Sequence, residues 1–349
     1  MKKNIIISCI ILVISVLLNA DVLFKLDDPL GDDYGNGSVI YPENPMFDEP
    51  IFDLISFEFS EKEENYIFNF TFAARINPVK HAEFQFSYDL PDDFILPLIH
   101  IYIDKDHMKN SGFTETVFGT NILLEEESGW EKAVIIASMP QRYSGELERL
   151  QPELYRNITV LGPLLSKDEK TISARVAKRN LGEINEDWGF AVLVMSQDFS
   201  QTIRKNIYIR EVNSTASQFN FGGGHSSILK DFDPNVIDLL VPPGSDQKRV
   251  LNSYDQENKK LAELQAVYPY TSSLISNKAV GEVKQVSSDK VVINLGSENG
   301  VEVGSQLIIN HKIVVIAEDV FAQLTIASLK AGSSHLEITE GMKVTLLNK

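Results

Sequence analysis

The residues best suited to chemistry lie in one short acidic segment near the start of the chain. Asp28, Asp32 and Asp33 stand close together there, among glycines that allow a tight loop: Gly31, Gly35 and Gly37. Such a loop can direct several carboxylates to one point, where a hard cation relieves their mutual repulsion. Calcium accepts about six to eight oxygen ligands in irregular geometry. The segment therefore predicts a Ca²⁺ site, with Asp104 at the end of a predicted strand as a further ligand.

The same three aspartates fit a second interpretation, in which each side chain caps a backbone N–H group of an acidic turn. Their spacing is not that of an EF-hand loop, so no established calcium motif decides between the two. The metal site and the capped turn both stay open at the level of the sequence.

Trp130 and Trp188 are the only tryptophans and form the second candidate site. An exposed indole can stack on the apolar C–H face of a sugar ring, which makes both residues candidate ligand-binding positions. Both also stand next to predicted strands, where a large aromatic side chain commonly packs into a core. The sequence favours core packing and leaves sugar stacking open.

Motifs of catalysis are missing from the sequence. It contains no Gly-x-Ser-x-Gly elbow, no His-Glu-x-x-His zinc motif and no P-loop. The run Phe221-Gly222-Gly223-Gly224 lacks the lysine and the helix of a phosphate-binding loop, and we interpret it as a flexible connection. Nothing marks the pair of carboxylates that a glycosidase needs. We expect a protein that is not an enzyme.

The charge of the chain restricts its partners. The 349 residues include 32 basic and 49 acidic side chains, a formal net charge of −17, and residues 277–349 hold only seven Lys against eight acids. An acidic surface before residue 277 repels phosphate backbones and anionic lipid headgroups, which argues against nucleic acid and bare membrane. It suits divalent cations and neutral partners, although acidity also serves simply to keep a protein soluble.

The first twenty residues predict export. Two lysines precede an apolar run from Ile5 to Leu18, and Asn19-Ala20 follows it, which is the layout of a signal peptide over residues 1–20. Leu18 occupies a position where signal peptidase prefers a small residue, so retention as an N-terminal anchor stays open. Cys9 is the only cysteine, and its removal with the signal excludes disulfides and a thiol nucleophile. No later run is long enough to span a membrane.

The rest of the chain predicts an all-β protein. Phe68, Phe70 and Phe72 alternate with polar residues, as in a strand with one buried face, and similar short runs recur at 84–88, 99–103, 133–137, 191–195 and 203–209. Such runs between turn residues indicate an antiparallel β-sandwich over 21–268. Residues 245–264 predict short helices, 269–276 a linker, and the short strands of 277–349 a small closed barrel.

The opening from Asp27 to Gly37, with Tyr41-Pro42 and Phe52-Asp53-Leu54, resembles the C-terminal module of glucodextranases. That module is a DOMON-like β-sandwich related to family 9 carbohydrate-binding modules. Further landmarks of the resemblance follow over residues 22–268: Ile101-Tyr102-Ile103-Asp104, Gly129-Trp130-Glu131, Asp187-Trp188-Gly189-Phe190, Phe221-Gly222-Gly223-Gly224 and Pro234–Leu240. The resemblance implies an accessory binding module, not a catalytic domain.

The segment from Gly281 to Gly304, closed by Gly341-Met342-Lys343-Val344, resembles the small SH3-like barrels of bacterial envelope proteins, such as the C-terminal domain of flagellar assembly protein T. Two functions follow from the two resemblances. One is an exported, non-catalytic protein of the periplasm or cell surface that binds envelope polysaccharide, with a structural calcium ion. The alternative is a structural or assembly protein whose two domains dock other envelope proteins.

Overall fold

The computed structural model describes residues 20–48, 50–79, 90–198, 208–225, 232–242, 245–269, 280–287, 290–299, 301–309, 313–329 and 338–346. The expected signal peptide, most of the expected linker, the expected strand at 84–88 and most of the one at 203–209 lie outside these residues. Their assignments stay predictions.

The part of the chain before residue 270 forms twelve strands and four short α-helices among the described residues. The strands are β1 (Asp21–Asp27), β2 (Leu54–Lys62), β3 (Asn65–Phe72), β4 (Pro97–Asp104), β5 (Ile122–Leu124), β6 (Lys132–Ile136), β7 (Ile158–Leu161), β8 (Leu164–Leu165), β9 (Thr171–Ala177), β10 (Gly189–Ser196), β11 (Asp238–Leu239) and β12 (Ala262–Leu264). The helices are α1 (Pro140–Leu150), α2 (Pro152–Tyr155), α3 (Lys178–Leu181) and α4 (Gln247–Leu251).

Two five-stranded sheets form the sandwich. The first has the order β1-β2-β3-β9-β8 and is antiparallel throughout. The second has the order β11-β10-β4-β6-β7, and only its β6–β7 pair is parallel. Phe190 of β10 reaches the first sheet, with its ring centroid 5.7 Å from that of Phe57 and 5.4 Å from that of Phe59. The aromatic residues of β2 and β10 therefore join the two sheets in one core.

The alternation predicted for residues 68–72 is confirmed. Phe68, Phe70 and Phe72 are fully buried in β3, and the residues between them are only half-buried. The expected helical stretch at 245–264 is only partly helical, because α4 ends at Leu251 and Ala262–Leu264 is a strand instead. That strand pairs in parallel with β5 and alternates buried and exposed residues, which is a period of two.

A closed six-stranded barrel follows. Its strands are β13 (Val280–Val286), β14 (Lys290–Ile293), β15 (Gln306–Ile309), β16 (Ile313–Val320), β17 (Thr325–Leu329) and β18 (Lys343–Leu346). They connect in the order β13-β14-β17-β16-β15-β18, and β18 closes on β13. Its buried apolar residues form a core cluster separate from that of the sandwich. The all-β fold with a terminal barrel is confirmed, and the domain boundaries stay a prediction.

None of the helices among the described residues is long and apolar enough to cross a membrane.

Candidate functional site

The acidic loop leaves the end of β1 and is anchored on the start of β2. The backbone N–H of Asp28 donates to the carbonyl of Ile55 at 3.0 Å. Gly31 has a φ of +84°, which favours glycine, and its N–H donates to Asp53 Oδ2 at 2.9 Å. The loop is thus folded back so that its carboxylates face the chain just before β2.

The other side of the loop contacts the second sheet beside β11. The N–H of Gly35 donates to the carbonyl of Ile237 at 2.8 Å, and a Cβ at Gly35 would lie 2.7 Å from the carbonyl oxygen of Val236. Glycine is required here because the two backbones approach so closely. This contact brings the loop next to Asp238, the first residue of β11.

Three carboxylates meet at this place, and a fourth lies beside them. One oxygen each of Asp28, Asp32 and Asp238 lies within 4.8 Å of the others. Asp53 lies beside them, since its carboxylate accepts from Gly31 of the loop and the next residue, Leu54, donates to Asp238. Asp238 is fully buried, Asp53 is 1% exposed and Asp28 is 9% exposed. We call these four residues, Asp28, Asp32, Asp53 and Asp238, the loop carboxylates.

Hydrogen bonds satisfy only part of this group. Asp238 accepts from the N–H groups of Leu54 at 2.6 Å and Leu239 at 2.7 Å. Neither oxygen of Asp28 has a hydrogen-bond partner among the described residues, and the same holds for Oδ1 of Asp32 and Oδ1 of Asp53. Buried carboxylate oxygens without a donor are costly, and a proton or a cation bound to them would lower that cost.

Burial and the neighbouring charges both oppose ionisation of these carboxylates. Burial raises the pKa of Asp28 to about 10, with further contributions from the charges of Asp238, Asp32 and Asp53. Burial also raises the pKa values of Asp32 and Asp53 to about 6 and that of Asp238 well above its usual range. Every neighbouring charge that contributes to these shifts belongs to another carboxylate. The loop carboxylates therefore repel one another when ionised.

The structure brings Asp28 and Asp32 together, as the sequence suggested, and places the two other predicted ligands differently. Asp33 is buried beside the group, where one of its oxygens accepts a hydrogen bond from the Tyr41 hydroxyl. Asp104 belongs to a second set of carboxylates, with Asp106 and Glu131. The expectation that Asp104 completes the shell around the loop is corrected by this placement, because Asp104 ends β4 at a different carboxylate group.

The second set is hydrogen-bonded in the manner of a capped turn. Asp104 Oδ1 accepts from the N–H groups of Asp106 and His107, at 3.1 and 2.8 Å, and its Oδ2 accepts from the Tyr268 hydroxyl at 2.5 Å. Glu131 accepts from the N–H of Lys105 at 2.7 Å. Backbone N–H groups close in the chain therefore satisfy much of this second set, as in a capped turn.

A family model for the C-terminal binding module of glucodextranase, described as SLH-like, matches residues 23–267. The chain belongs to this family. The resemblance noted in the sequence is thereby confirmed, and the match is to a binding module and not to a catalytic domain. A search of curated proteins found no match.

Two of the loop carboxylates were not predicted as ligands from the sequence. Both lie in landmarks of the glucodextranase-type module. Asp53 stands in Phe52-Asp53-Leu54, and Asp238 in the run Pro234–Leu240. Each is an aspartate between apolar residues, and such a residue is rarely buried without a partner. That position was the available signal for a functional carboxylate.

The two tryptophans of the module lie in the core. Both are fully buried. Trp130 Nε1 donates to the carbonyl of Glu115 at 2.8 Å, and the ring of Trp188 packs near Tyr66 and Phe190, with centroids 6.1 and 6.2 Å away. Neither indole presents an open face to a sugar ring, so burial corrects the suggestion that Trp130 or Trp188 contacts a glycan.

The glycine run of the module is a packed contact and not the flexible connection expected from the sequence. Gly222 and Ile40 exchange backbone hydrogen bonds at 2.8 and 2.9 Å. Gly223 has a φ of +90°, and a Cβ there would lie 1.8 Å from the carbonyl oxygen of Ser38. The run therefore fixes the far end of the acidic loop against the sandwich.

Proposed function

We propose that this protein is an exported, non-catalytic protein of the cell envelope that binds carbohydrate through its sandwich, with calcium as a structural ion. The observation that carries the proposal is the family match, because the matched family is a binding module of an enzyme that acts on glucan. The signal-like segment at residues 1–20 supports export. The acidic balance of the chain supports a neutral ligand over a polyanion.

A cleft of about 1140 Å³ offers a place for such a ligand. Its walls combine polar side chains with apolar ones, which suits a sugar because a sugar has hydroxyl groups at its edge and C–H groups on its faces. The polar residues are Asn44, Asp48, Arg75, Asn77, Asp92 and Glu169, and the apolar ones include Met46, Ile51, Ile76, Val79 and Leu96. Arg75 and Asp92 are exposed and can donate to and accept from hydroxyl groups.

A glycan array probed with the mature protein, residues 21–349, tests the proposal. We expect binding to a defined set of neutral glycans, and we expect Arg75→Ala and Asp92→Ala each to weaken it by about tenfold, the value of one hydrogen bond to a charged group. Arg149→Ala is the matched control, because Arg149 is exposed on α1 in an ion pair with Glu146 and outside the cleft. Absence of binding to every glycan, with and without calcium, would contradict the proposal.

Export is tested separately by cell fractionation. We expect the protein outside the cytoplasm, in the periplasm or at the cell surface, with a mature N-terminus at or near Asp21. Recovery of the full-length chain from the cytosol would exclude export while leaving carbohydrate binding open.

A role in docking other envelope proteins is the second candidate, and the barrel supports it. The barrel lies beyond the family match and exposes Val303 (70% exposed) and Phe321 (55% exposed). Apolar side chains in such positions are typical of protein contacts when they form one patch. Photo-crosslinking from position 321 in intact cells tests this candidate: a single envelope protein as the product supports docking, and no product contradicts it.

A further inference from the structure

We infer that the loop carboxylates, Asp28, Asp32, Asp53 and Asp238, bind one calcium ion that holds the acidic loop against both sheets of the sandwich. This inference deepens the calcium part of the proposed function and does not depend on any glycan. It replaces two of the ligands expected from the sequence, since Asp53 and Asp238 take the places of Asp33 and Asp104.

The first argument is the oxygens that lack a donor. Asp28 is nine-tenths buried, neither of its oxygens has a hydrogen-bond partner among the described residues, and one of them lies within 4.8 Å of an oxygen of Asp32 and of Asp238. Gln247 beside the loop is also buried and has an Oε1 atom without a partner in the described chain. Its Nε2 group donates to the carbonyl of Asp32 at 2.5 Å, which places this amide at the loop.

The second argument is the size and hardness of the ion. Calcium binds oxygen at about 2.3–2.6 Å, so two ligands on opposite sides of it lie about 5 Å apart. The mutual spacing of the carboxylate oxygens, within 4.8 Å, allows all three of the residues that meet it to share one such ion. Magnesium requires about 2.1 Å and near-octahedral geometry, which an irregular loop supplies poorly. The carboxylates and the Gln247 amide supply only oxygen, the ligand atom that calcium prefers.

The third argument is the hydrogen bonds already present. Asp53 and Asp238 each use backbone N–H groups of the neighbouring chain to fix their carboxylates: Gly31 binds Asp53, and Leu54 binds Asp238. The carboxylates are therefore oriented before any ion arrives.

The position of the ligands decides what the ion would do. Asp28 follows β1, Asp32 lies in the loop, and Asp53 precedes β2, so three ligands belong to one edge of the first sheet. Asp238 belongs to β11 in the second sheet. An ion bound by all four would join the two sheets through the loop, and its binding would be linked to folding.

Thermal unfolding of the mature protein in EGTA and in 10 mM CaCl₂ (about ten times the weakest dissociation constant typical of extracellular sites) tests the inference. We expect calcium to raise the melting temperature by about 3–10 °C, and MgCl₂ at the same concentration to raise it less. Titration calorimetry should give one calcium ion per chain. No shift and no binding heat would overturn the inference.

Isosteric variants identify the ligands. Asp28→Asn and Asp53→Asn should lose the calcium-dependent rise and keep the melting temperature in EGTA, because an amide has nearly the shape of the carboxyl group and lacks the charge that a cation needs. Asp104→Asn is the matched control from the second carboxylate set and should keep the rise. Loss of the rise in Asp104→Asn alone would assign the ion to that second set and overturn the inference. If Asp28→Asn fails to fold by circular dichroism, Asp32→Asn, whose side chain is only half-buried, takes its place with the same expected result.

The metal and the glycan are tested by separate measurements. A melting shift measured without glycan reports on the ion alone, and the glycan array reports on the ligand. Binding of calcium without glycan would support the inference and refute the carbohydrate proposal. Binding of glycan without calcium would refute the inference and support the carbohydrate proposal.

Discussion

Acid is expected to destabilise the sandwich through one buried imidazole. His100 lies in β4 and is fully buried. Its Nδ1 atom is 3.1 Å from the hydroxyl oxygen of Tyr102, and its Nε2 atom is 2.8 Å from that of Tyr143 in α1. Burial lowers the pKa of His100 to about 3, because the charged imidazolium cannot be solvated there.

The loss of stability in acid follows from the difference between the pKa of His100 in the folded chain and in the unfolded chain. The unfolded chain has a histidine pKa of about 6.5 and binds a proton between pH 6.5 and 3 that the folded chain does not bind. The free energy of unfolding therefore falls as the pH falls through that window. Between pH 7 and pH 4.5 the loss attributable to His100 amounts to about 2.5 kcal/mol.

Urea unfolding of the wild type and of His100→Gln at pH 7 and pH 4.5 measures this loss. The variant cannot titrate, so its stability should fall by about 2.5 kcal/mol less than that of the wild type over the same interval. Carboxylates with raised pKa values act in the opposite direction, and their contribution is common to both proteins and cancels in the difference.

Tyr143→Phe is the matched control. It removes a hydrogen bond of His100 and keeps the imidazole, so we expect a loss of about 1 kcal/mol at both pH values and a pH dependence like that of the wild type. Equal pH dependence in the wild type and in His100→Gln would refute the reasoning, since it would mean that the folded protein accepts the proton.

Three further predictions concern the packing and the division of the chain. Gly223→Ala should lower the free energy of unfolding in urea by at least about 3 kcal/mol, because its Cβ would collide with a backbone carbonyl. Gly31→Ala should lower it by only about 1 kcal/mol, because the space around Gly31 is open. Equal losses in the two variants would contradict this prediction. Trp130→Phe should cost about 1 kcal/mol more than Trp188→Phe, since only the first gives up an indole hydrogen bond. Limited proteolysis should cut within residues 269–276 and leave two protected fragments, whereas a single resistant unit would contradict independent folding of the two domains.

Much of the fold could be predicted from the sequence because the β-strand period is short and local. The alternation at Phe68, Phe70 and Phe72 defines β3 within five residues, and the similar short runs after residue 280 define the barrel strands. Closure of the barrel followed from the need to remove exposed edges. These features depend on neighbours in the chain, which is why the sequence alone reveals them.

Features that depend on distant residues escaped prediction. All eight residues of β4 are buried, on both faces, although their pattern resembles that of other strands. The reason is that α1 brings Tyr143 against His100, and Trp130 packs on Tyr102 with ring centroids 5.3 Å apart. The helix α1 has Tyr143, Leu147 and Leu150 at helical spacing after Pro140, so a helix could have been predicted there, and only its contact with β4 depends on the folded structure.

The candidate site divides in the same way. Asp28 and Asp32 could be predicted because the glycine-rich loop places them together locally. Asp53, just before β2, and Asp238, in β11, meet the loop only in the folded protein, through the N–H of Gly31 on Asp53 and the N–H of Gly35 on Ile237. A ligand set assembled across two sheets cannot be derived from spacing, and the one expected ligand that lay far along the chain, Asp104, was assigned to the loop without such a contact.

The landmarks that identify the family bear on where its ligand can bind. Trp130 and Trp188 are buried, Gly223 is packed against the loop, and Asp53 and Asp238 are buried among the loop carboxylates. These buried landmark residues therefore specify the sandwich and its acidic loop. The polar residues of the cleft stand outside these landmarks, so modules with the same signature can differ in what they bind. For this reason substitutions in the cleft test the proposed glycan site, and substitutions of the buried landmarks test folding and the proposed calcium site.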